Sequence, residues 1–149
     1  MMTDEPRAAL STSLTHLLHR ACQVADGIFH EEAGDTGLTT RQFAVLIAVS
    51  NNRDISQTGL VQVTGIDRST VAEIVKRLLK RNLIKRRRTR LDARAYAVRL
   101  TEEGEALLRS AEPAAHRAEI RLVAALNGQK GPHLAEALAH LVQALPQPK

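Results

Sequence analysis

Side chains that can bind an anion are concentrated in one stretch of the sequence, residues 68–99. It holds twelve Lys or Arg against two acids, Glu73 and Asp92, so its net charge is +10. The whole chain has 21 basic and 16 acidic residues, which leaves nine against fourteen elsewhere, a net charge of −5. Such local charge can neutralise a phosphate backbone, the main source of DNA affinity that does not depend on base sequence. The alternative is a solvated charged surface, as most charge runs are.

The first part of this stretch has the pattern of an amphipathic helix. Asp67 is suited to cap it, because its carboxylate can accept from the amides of Ser69 or Thr70. Asn82 stands where the pattern stops, and Asn readily adopts the left-handed conformation that ends many helices. The apolar residues recur every three or four positions and so share one face: Ile66, Val71, Ile74, Val75, Leu78 and Leu79.

The opposite face of the helix carries side chains that can bind DNA. Arg68, Ser69 and Thr70 occupy the first turn, the part of a recognition helix that points into the major groove. Arg68 can donate to O6 and N7 of guanine, and the two hydroxyls can contact a base edge or a phosphate. For Ser69 and Thr70, ordinary helix-start propensity is the alternative. Lys76 and Arg77 are candidates for phosphate contacts, which set the register without reading sequence.

The second part of the stretch predicts two strands around a basic turn. Strand-like residues run over 83–89 and 96–100, on either side of a charged turn at 90–94. Helix, strand, charged turn and strand together predict a recognition helix and a wing. Narrow A·T tracts attract arginine into the minor groove. The wing candidates for minor-groove or backbone contact are Arg88, Arg90 and Arg94.

Two shorter helices are predicted before the recognition helix. A turn cluster at residues 34–37 leads into a helix capped by Thr39 or Thr40, and Ser56 can cap the next one. Gly65 then makes a tight turn into the recognition helix. Two helices around a glycine-containing turn are the helix-turn-helix plan, in which the first holds the second against the major groove.

Apolar stripes predict further helices at both ends of the chain. One runs from Leu10 to about Phe29, and residues 133–145 form the last. Between them Thr101 can cap another helix, although Gly104 stands where a capping box needs Glu or Gln. Pro113 predicts a kink or a short break in that helix. The apolar stripes of these helices lie far in sequence from the basic stretch, so another apolar surface is expected to cover them.

Composition narrows the class of protein. A chain of 149 residues fits one domain, and with 44% hydrophobic but 2% aromatic residues its core must be aliphatic. No apolar run approaches the ~20 residues that span a bilayer, and the first ten residues lack the plan of a signal peptide. The expected location is therefore the cytoplasm, with no membrane partner. A single cysteine, Cys22, excludes an intramolecular disulfide framework.

Catalysis and metal binding find little support in the sequence. There is no Gly-rich phosphate loop, no HExxH and no nucleophile elbow, so neither an enzyme nor a cofactor is expected. His16 and His19 are three apart on one predicted helix face, but no third ligand is near, so no metal site is expected. An RNA-binding module is a further alternative, although the aromatics that stack on single strands are nearly missing.

The ordered motifs resemble the MarR family of bacterial transcription regulators. The resemblance covers roughly half the chain and is carried by three segments: LTTRQFAVL (38–46), GIDRSTVAEIVKRLLKRNLIKR (65–86) and LDARAYAVRLTEEG (91–104). It implies a mainly α chain with a small β wing: residues 1–149 form one chain, with a winged helix-turn-helix at 36–101. The helices at 10–31 and 102–145 are then dimerisation helices. Asp92 and Arg94 match the family's Asp-x-Arg wing motif, in which the aspartate braces the wing and the arginine reaches toward the minor groove.

The family resemblance also implies a function. A homodimer would bind a palindromic operator in double-stranded DNA, most simply as a repressor, and release it when a small aromatic or phenolic acid, or its CoA thioester, binds between the dimerisation helices and the winged domain. The candidate ligand-binding residues are His16, His19, Arg20, His30 and Arg41. The alternative is a redox-sensing repressor acting through Cys22. One branch of the family senses hydroperoxides in this way with nearby tyrosines, whereas the only tyrosine here is Tyr96 in the wing.

Overall fold

The computed structural model describes residues 9–88 and 96–145. Six α-helices lie in this part of the chain: α1 (Leu14–Ala33), α2 (Thr40–Asn51), α3 (Gln57–Thr64), α4 (Arg68–Lys80), α5 (Glu102–Ala125) and α6 (Lys130–Ala144). Short 3-10 turns precede α1 at Leu10–Thr12 and follow it at Gly34–Thr36. Strands β1 (Ile55–Ser56), β2 (Ile84–Arg88) and β3 (Tyr96–Leu100) form one antiparallel sheet in the order β1-β3-β2. The prediction of a mainly helical chain with a small β wing is confirmed.

Side-chain caps fix where the inner helices begin. Ser56 caps α3 and Asp67 caps α4, as predicted. Of the two threonines before α2, Thr39 is the cap: its hydroxyl accepts from the Gln42 amide (3.2 Å), and the Gln42 side chain accepts from the Thr39 amide (3.1 Å). This reciprocal pair is a capping box that was not predicted, and it satisfies two amide donors that a helix start otherwise leaves unpaired.

The apolar face of α4 lies at the centre of the core. Val71, Val75 and Leu78 are fully buried, together with Leu46 of α2 and Leu60 of α3. Burying one such aliphatic side chain contributes roughly 1.5–3 kcal/mol. Because α2 and α3 both pack against α4, the orientation of its exposed face is fixed by the core.

A Schellman motif ends α4. Asn82 has φ 55° and donates its amide to the Leu79 carbonyl (3.0 Å), while the Leu83 amide donates to the Leu78 carbonyl (3.0 Å). These two bonds define the motif and satisfy carbonyls that the helix leaves unpaired. The left-handed conformation predicted for Asn82 is confirmed, and the backbone from α4 into β2 is tightly held.

The start of β2 and the start of α5 meet in one close contact. Thr101 donates its amide to the Leu83 carbonyl (3.1 Å) and its hydroxyl to the Asn82 carbonyl (2.7 Å), and its hydroxyl accepts from the Gly104 amide (3.0 Å). A Cβ at Gly104 would lie 1.9 Å from the Leu83 carbonyl oxygen. The position where a capping box carries Glu or Gln is therefore one where only glycine fits.

The outer helices differ from their predicted bounds. α1 begins at Leu14 after the 3-10 turn and ends at Ala33 rather than near Phe29, because Phe29 and Ala33 share one face and both bury against α5. α6 begins at Lys130, before the predicted start at residue 133. The short break expected at Pro113 is wrong, since α5 continues through that residue. Ala111 and Ala114 are buried on either side of the proline, so packing holds both halves in one helix.

Among the described residues, none of the helices has both the length and the apolar character of a membrane span.

Aliphatic side chains remain exposed on the outer helices of a single protomer. Several exposed aliphatic side chains on the same outer helices are typical of a protein–protein interface. Its members are Leu14, Leu17 and Val24 on α1, Ile120 and Val123 on α5, and Leu134, Leu138 and Val142 on α6.

Ion pairs join the end of α1 to the C-terminal half of α5. Glu32 accepts from Arg117 Nε (2.8 Å) and from Arg121 Nη1 (3.0 Å), and Glu31 accepts from Arg121 Nη2 (2.7 Å). The hydrogen bond from Arg117, followed by that from Arg121, holds the pKa of the Glu32 carboxyl below its usual range. The carboxylate is thus stabilised in the folded state relative to the unfolded chain.

We expect this arrangement to make stability fall in acid. The ordinary pKa of the Glu32 carboxyl is 4.5, and its pKa in the folded protein is lower. Its contribution to stability is therefore complete above about pH 4.5 and is lost as the pH falls through the pKa of the folded state. Melting temperatures from pH 7 to pH 3 for the wild type and Glu32→Gln measure this. The wild type is expected to lose its advantage over the variant in acid, and two parallel curves would contradict the assignment.

Candidate nucleic-acid interface

The exposed face of α4 carries the residues predicted to read DNA. Arg68, Ser69, Lys76 and Arg77 are all exposed, and Thr70 is half-buried. The opposite side of the helix is packed into the core, so these side chains project from a rigid support. Arg68 and Ser69 occupy the first turn, as expected for base contacts. Lys76 and Arg77 lie two turns further along, at the positions predicted for phosphate contacts.

Asp67 organises the first turn of α4. Its Oδ1 accepts from the Ser69 hydroxyl (2.7 Å) and from the Thr70 amide (2.9 Å). Hydrogen bonding from the Ser69 hydroxyl, followed by that from the side chain and then the backbone amide of Thr70, lowers the pKa of the Asp67 carboxyl well below its usual range. Because the Ser69 hydroxyl donates its hydrogen to Asp67, its lone pairs remain and the group can act toward another molecule as a hydrogen-bond acceptor. Such an oxygen can accept from the amino group of cytosine or adenine.

Replacing Asp67 separates its capping role from its charge. Asn is as good an N-cap as Asp, so we expect Asp67→Asn to keep the melting temperature and, with one negative charge fewer beside the phosphates, to bind DNA at least as tightly as the wild type. Asp67→Ala is expected to lower both the melting temperature and the affinity. Thermal melting and fluorescence anisotropy on a duplex measure the two effects. Equal melting temperatures for all three proteins would contradict the capping role.

A hollow of about 330 Å³ separates the start of α2 from the exposed face of α4. Arg41 of α2, predicted as an effector-binding residue, is among its walls beside Ser69, Thr70 and Arg77, which were predicted to contact DNA. No sequence spacing indicated that Arg41 lies close to these residues. The walls are formed by Thr39, Arg41, Gln42, Ser69, Thr70, Glu73, Ile74 and Arg77.

The wing strands extend the basic surface beyond α4. Lys85, Arg86, Arg87 and Arg88 of β2 are all exposed. The Arg86 guanidinium lies 6.0 Å from the centre of the Tyr96 ring, at the outer limit of a cation–π contact. Arg88 pairs with Tyr96, the last residue pair between β2 and β3. The predicted wing residues Arg90, Asp92 and Arg94 lie outside the described residues, so their roles stay predictions.

Two arginines of the basic stretch serve the fold. Arg99 Nε and Nη2 each lie 2.5 Å from a carboxylate oxygen of Asp54, and this pair holds the pKa of Asp54 below its usual range. Arg81 donates to the carbonyls of Thr36 and Gly37. The net charge of the stretch therefore overstates the number of side chains free to meet phosphates.

A second hollow of about 300 Å³ lies between α1 and α2. It brings together His30 and Arg41, two of the predicted ligand-binding residues. The other three, His16, His19 and Arg20, lie further toward the start of α1 and do not line this hollow within one protomer. Their role stays a prediction. Its walls are Asp26, Phe29, His30, Leu38, Thr39, Thr40 and Arg41.

Cys22 and the histidines form no recognisable redox or metal site in the described part of the chain. Cys22 is exposed on α1 and is not among the walls of the hollow beside His30. No group of three or more His, Cys, Asp or Glu among the described residues is arranged to hold a metal ion. Among the described residues, the exposed basic face of α4 is the surface best suited to bind a nucleic acid.

Comparison with known proteins finds similarity to DNA-binding regulators of transcription. A family model described as the MarR family matches residues 36–95. The HTH-type transcriptional repressor NicR of Pseudomonas putida is 37% identical over 112 residues, which make up 75% of this chain and 71% of NicR. The match therefore spans the helix-turn-helix, the wing and part of the outer helices.

Two solved structures share the fold over nearly their whole length. BpsR of Bordetella bronchiseptica, whose DNA binding is regulated by 6-hydroxynicotinic acid, is 29% identical with a TM-score of 0.83, covering 93% of this chain and 99% of BpsR. The repressor CouR, bound to a 23-mer DNA duplex, is 29% identical with a TM-score of 0.82, covering 94% of this chain and 99% of CouR. CouR has also been solved with p-coumaroyl-CoA. From the motifs, the fold and these similarities, the chain belongs to the MarR family of DNA-binding transcription regulators.

Proposed function

We propose that this protein is a homodimeric repressor that binds a palindromic operator and releases it when a small aromatic acid occupies the hollow between α1 and α2. The observation that carries the proposal is the division of α4 into a fully buried apolar face and an exposed basic face. A helix held in this way presents one set of side chains to a groove without having to reorganise. NicR and CouR, both named as repressors, support the sign of regulation.

The exposed aliphatic side chains of α1, α5 and α6 support the homodimer. A surface of this kind on both ends of the chain can be covered by the same surface of a second copy, which gives an isologous two-fold interface. Two recognition helices related by a two-fold axis read inverted half-sites. Their centres are then separated by about one helical turn, roughly 10 base pairs, or a multiple of it.

Selection of bound duplexes from a random pool tests the DNA part of the proposal. The expected result is one inverted repeat with that spacing. Direct repeats, or a single half-site bound by a monomer, would contradict the dimer. Competition by single-stranded RNA of matched length at equal affinity would instead favour an RNA-binding module.

The hollow between α1 and α2 has walls suited to an aromatic acid. The Phe29 ring and Leu38 offer apolar contact, and Arg41 and His30 can bind a carboxylate. Asp26 opposes an anion close to it but can accept from a ring hydroxyl, so a hydroxylated acid fits better than a plain one. A volume of about 300 Å³ suits a single ring. The CoA part of a thioester would therefore have to lie outside the hollow.

Thermal shift and operator release with 6-hydroxynicotinic acid, p-coumaric acid and p-coumaroyl-CoA test the effector part. We expect at least one of them to raise the melting temperature and to release the operator. His30→Gln, which alters the hollow without touching α4, is expected to weaken that effect. If none stabilises the protein while peroxide abolishes operator binding in the wild type and not in Cys22→Ser, the redox alternative is correct.

Replacing Arg94 tests the wing. The family's Asp-x-Arg wing motif implies that Arg94 reaches toward the minor groove, so Arg94→Ala is expected to lower operator affinity. It should also reduce the slope of log affinity against log salt by roughly 1 for each lost contact. Anisotropy titrations at several salt concentrations measure both quantities. Arg109, exposed on α5, supplies the control variant Arg109→Ala with the same loss of charge; equal behaviour of the two variants would contradict the wing assignment.

A further inference from the structure

Arg81 is fixed to the end of the recognition helix. It is the C-cap of α4, with its own amide bonded to the Arg77 carbonyl (3.1 Å). The next two residues close the Schellman motif onto Leu78 and Leu79. The Arg81 backbone therefore cannot change position without α4, and the base of its side chain moves with the DNA-reading face.

The Arg81 side chain reaches the turn between α1 and α2. Nη1 donates to the Gly37 carbonyl and Nη2 donates to the Thr36 carbonyl, both at 2.9 Å. Gly37 has φ +64°, and a Cβ there would lie 3.5 Å from Nη2, so the guanidinium lies directly against this turn. Two parallel N–H donors held by one planar group fix the angle of the contact as well as its distance.

The segment that Arg81 holds is itself rigid. We call residues 34–39 the α1–α2 connection. The Thr36 hydroxyl donates to the Ala33 carbonyl (2.6 Å) and accepts from the Leu38 amide (3.2 Å). At its far end Thr39 is locked to Gln42 by the capping box. Leu38 and Thr39 also line the hollow between α1 and α2. A displacement of these walls is therefore carried to the carbonyls that Arg81 binds.

We propose that Arg81 is a positioning residue that couples α4 to the α1–α2 connection. The inference rests on the proposed function: the operator acts on α4, and the effector acts on the hollow that the connection lines. Coupling between two sites is reciprocal for binding free energies. If the two bonds of Arg81 couple the sites, effector binding changes operator affinity by the same factor by which operator binding changes effector affinity.

Hydrogen exchange of the intact protein, free and bound to its selected operator duplex, tests the coupling without any effector. In the wild type, operator binding is expected to slow amide exchange in residues 34–39 by about fivefold or more, the lower end of typical coupling between sites. Arg81→Ala is expected to lose this protection while α4 keeps its own. Arg81→Lys keeps the charge but not the planar pair of donors, so it is expected to behave like Arg81→Ala.

Three results would overturn the inference. One is equal protection of residues 34–39 in the wild type and Arg81→Ala. Another is restoration of that protection by Arg81→Lys, which would assign Arg81 to simple electrostatics. The third is the same loss in Arg109→Ala, the charge-matched control. If the first result is accompanied by a lower melting temperature of Arg81→Ala, Arg81 is only a stabilising contact. Failure of the wild type to bind any duplex would instead refute the proposed function, and the inference with it.

Discussion

Gly104→Ala is expected to lower the free energy of unfolding by roughly 3 kcal/mol, near the upper end of overpacking penalties. The added Cβ would lie 1.9 Å from the Leu83 carbonyl oxygen and 2.9 Å from the carbonyl carbon. Both atoms are backbone, and Thr101 holds them in place by its bonds to Leu83 and Asn82. The clash can be relieved only by separating β2 from α5, which breaks those bonds.

Gly27→Ala is the matched control. Gly27 lies inside α1, and a Cβ there meets nothing within 4 Å in one protomer. Alanine in place of glycine inside a helix stabilises by roughly 1 kcal/mol, so the two variants are expected to move in opposite directions. Urea unfolding at one fixed protein concentration measures both, because the stability of a dimer depends on concentration. Equal and small effects would contradict the close contact at Gly104.

Arg68→Ala is expected to reduce operator affinity by roughly 100-fold or more. A bidentate contact with guanine is worth about 1–3 kcal/mol, and a dimer loses one such contact in each half-site. Arg68 is exposed in the first turn of α4, where a docked recognition helix meets base edges. The variant should also lose its preference at one base position of each half-site.

Anisotropy titrations on the selected operator, and on operators changed at single positions, separate base reading from simple charge. Arg109→Ala removes the same charge from α5 and is expected to leave both affinity and base preference within about twofold of the wild type, as for a surface substitution away from the site. Arg68→Lys keeps the charge but loses the bidentate geometry, so it should remain relaxed in sequence preference. A uniform loss across all operators would assign Arg68 to phosphate contact instead.

Local patterns were sufficient to predict most of the fold. The apolar period of α4 gave its buried face, and Asp67, Ser56 and Thr101 marked helix starts because a capping side chain acts on amides only two or three residues away. Asn82 marked the end of α4 for the same local reason. The basic residues of α4 proved exposed because a helix that buries one face must expose the other.

Contacts between distant segments escaped prediction. Gly104 was noted only as a missing capping-box residue, whereas the structure gives its reason in a carbonyl 21 positions earlier in the chain. Arg81 was counted as one more basic residue, yet its partners lie 44 and 45 positions away. Pro113 was expected to kink or briefly break its helix by local sterics, yet α5 continues through it with buried alanines on both sides. None of these partners leaves a periodic signal in sequence.

The contact among Leu83, Thr101 and Gly104 has a consequence for how two subunits measure DNA. The contact fixes the start of β2 to the first turn of α5. The β2–β3 hairpin therefore cannot tilt unless α5 tilts with it. In the dimer that we propose, α5 also contributes to the interface between subunits. In that dimer, the angle between the two α5 helices determines the distance between the two wings. A signal that changes this angle would change the half-site spacing that the proposed dimer can bind, without changing the residues predicted to contact bases.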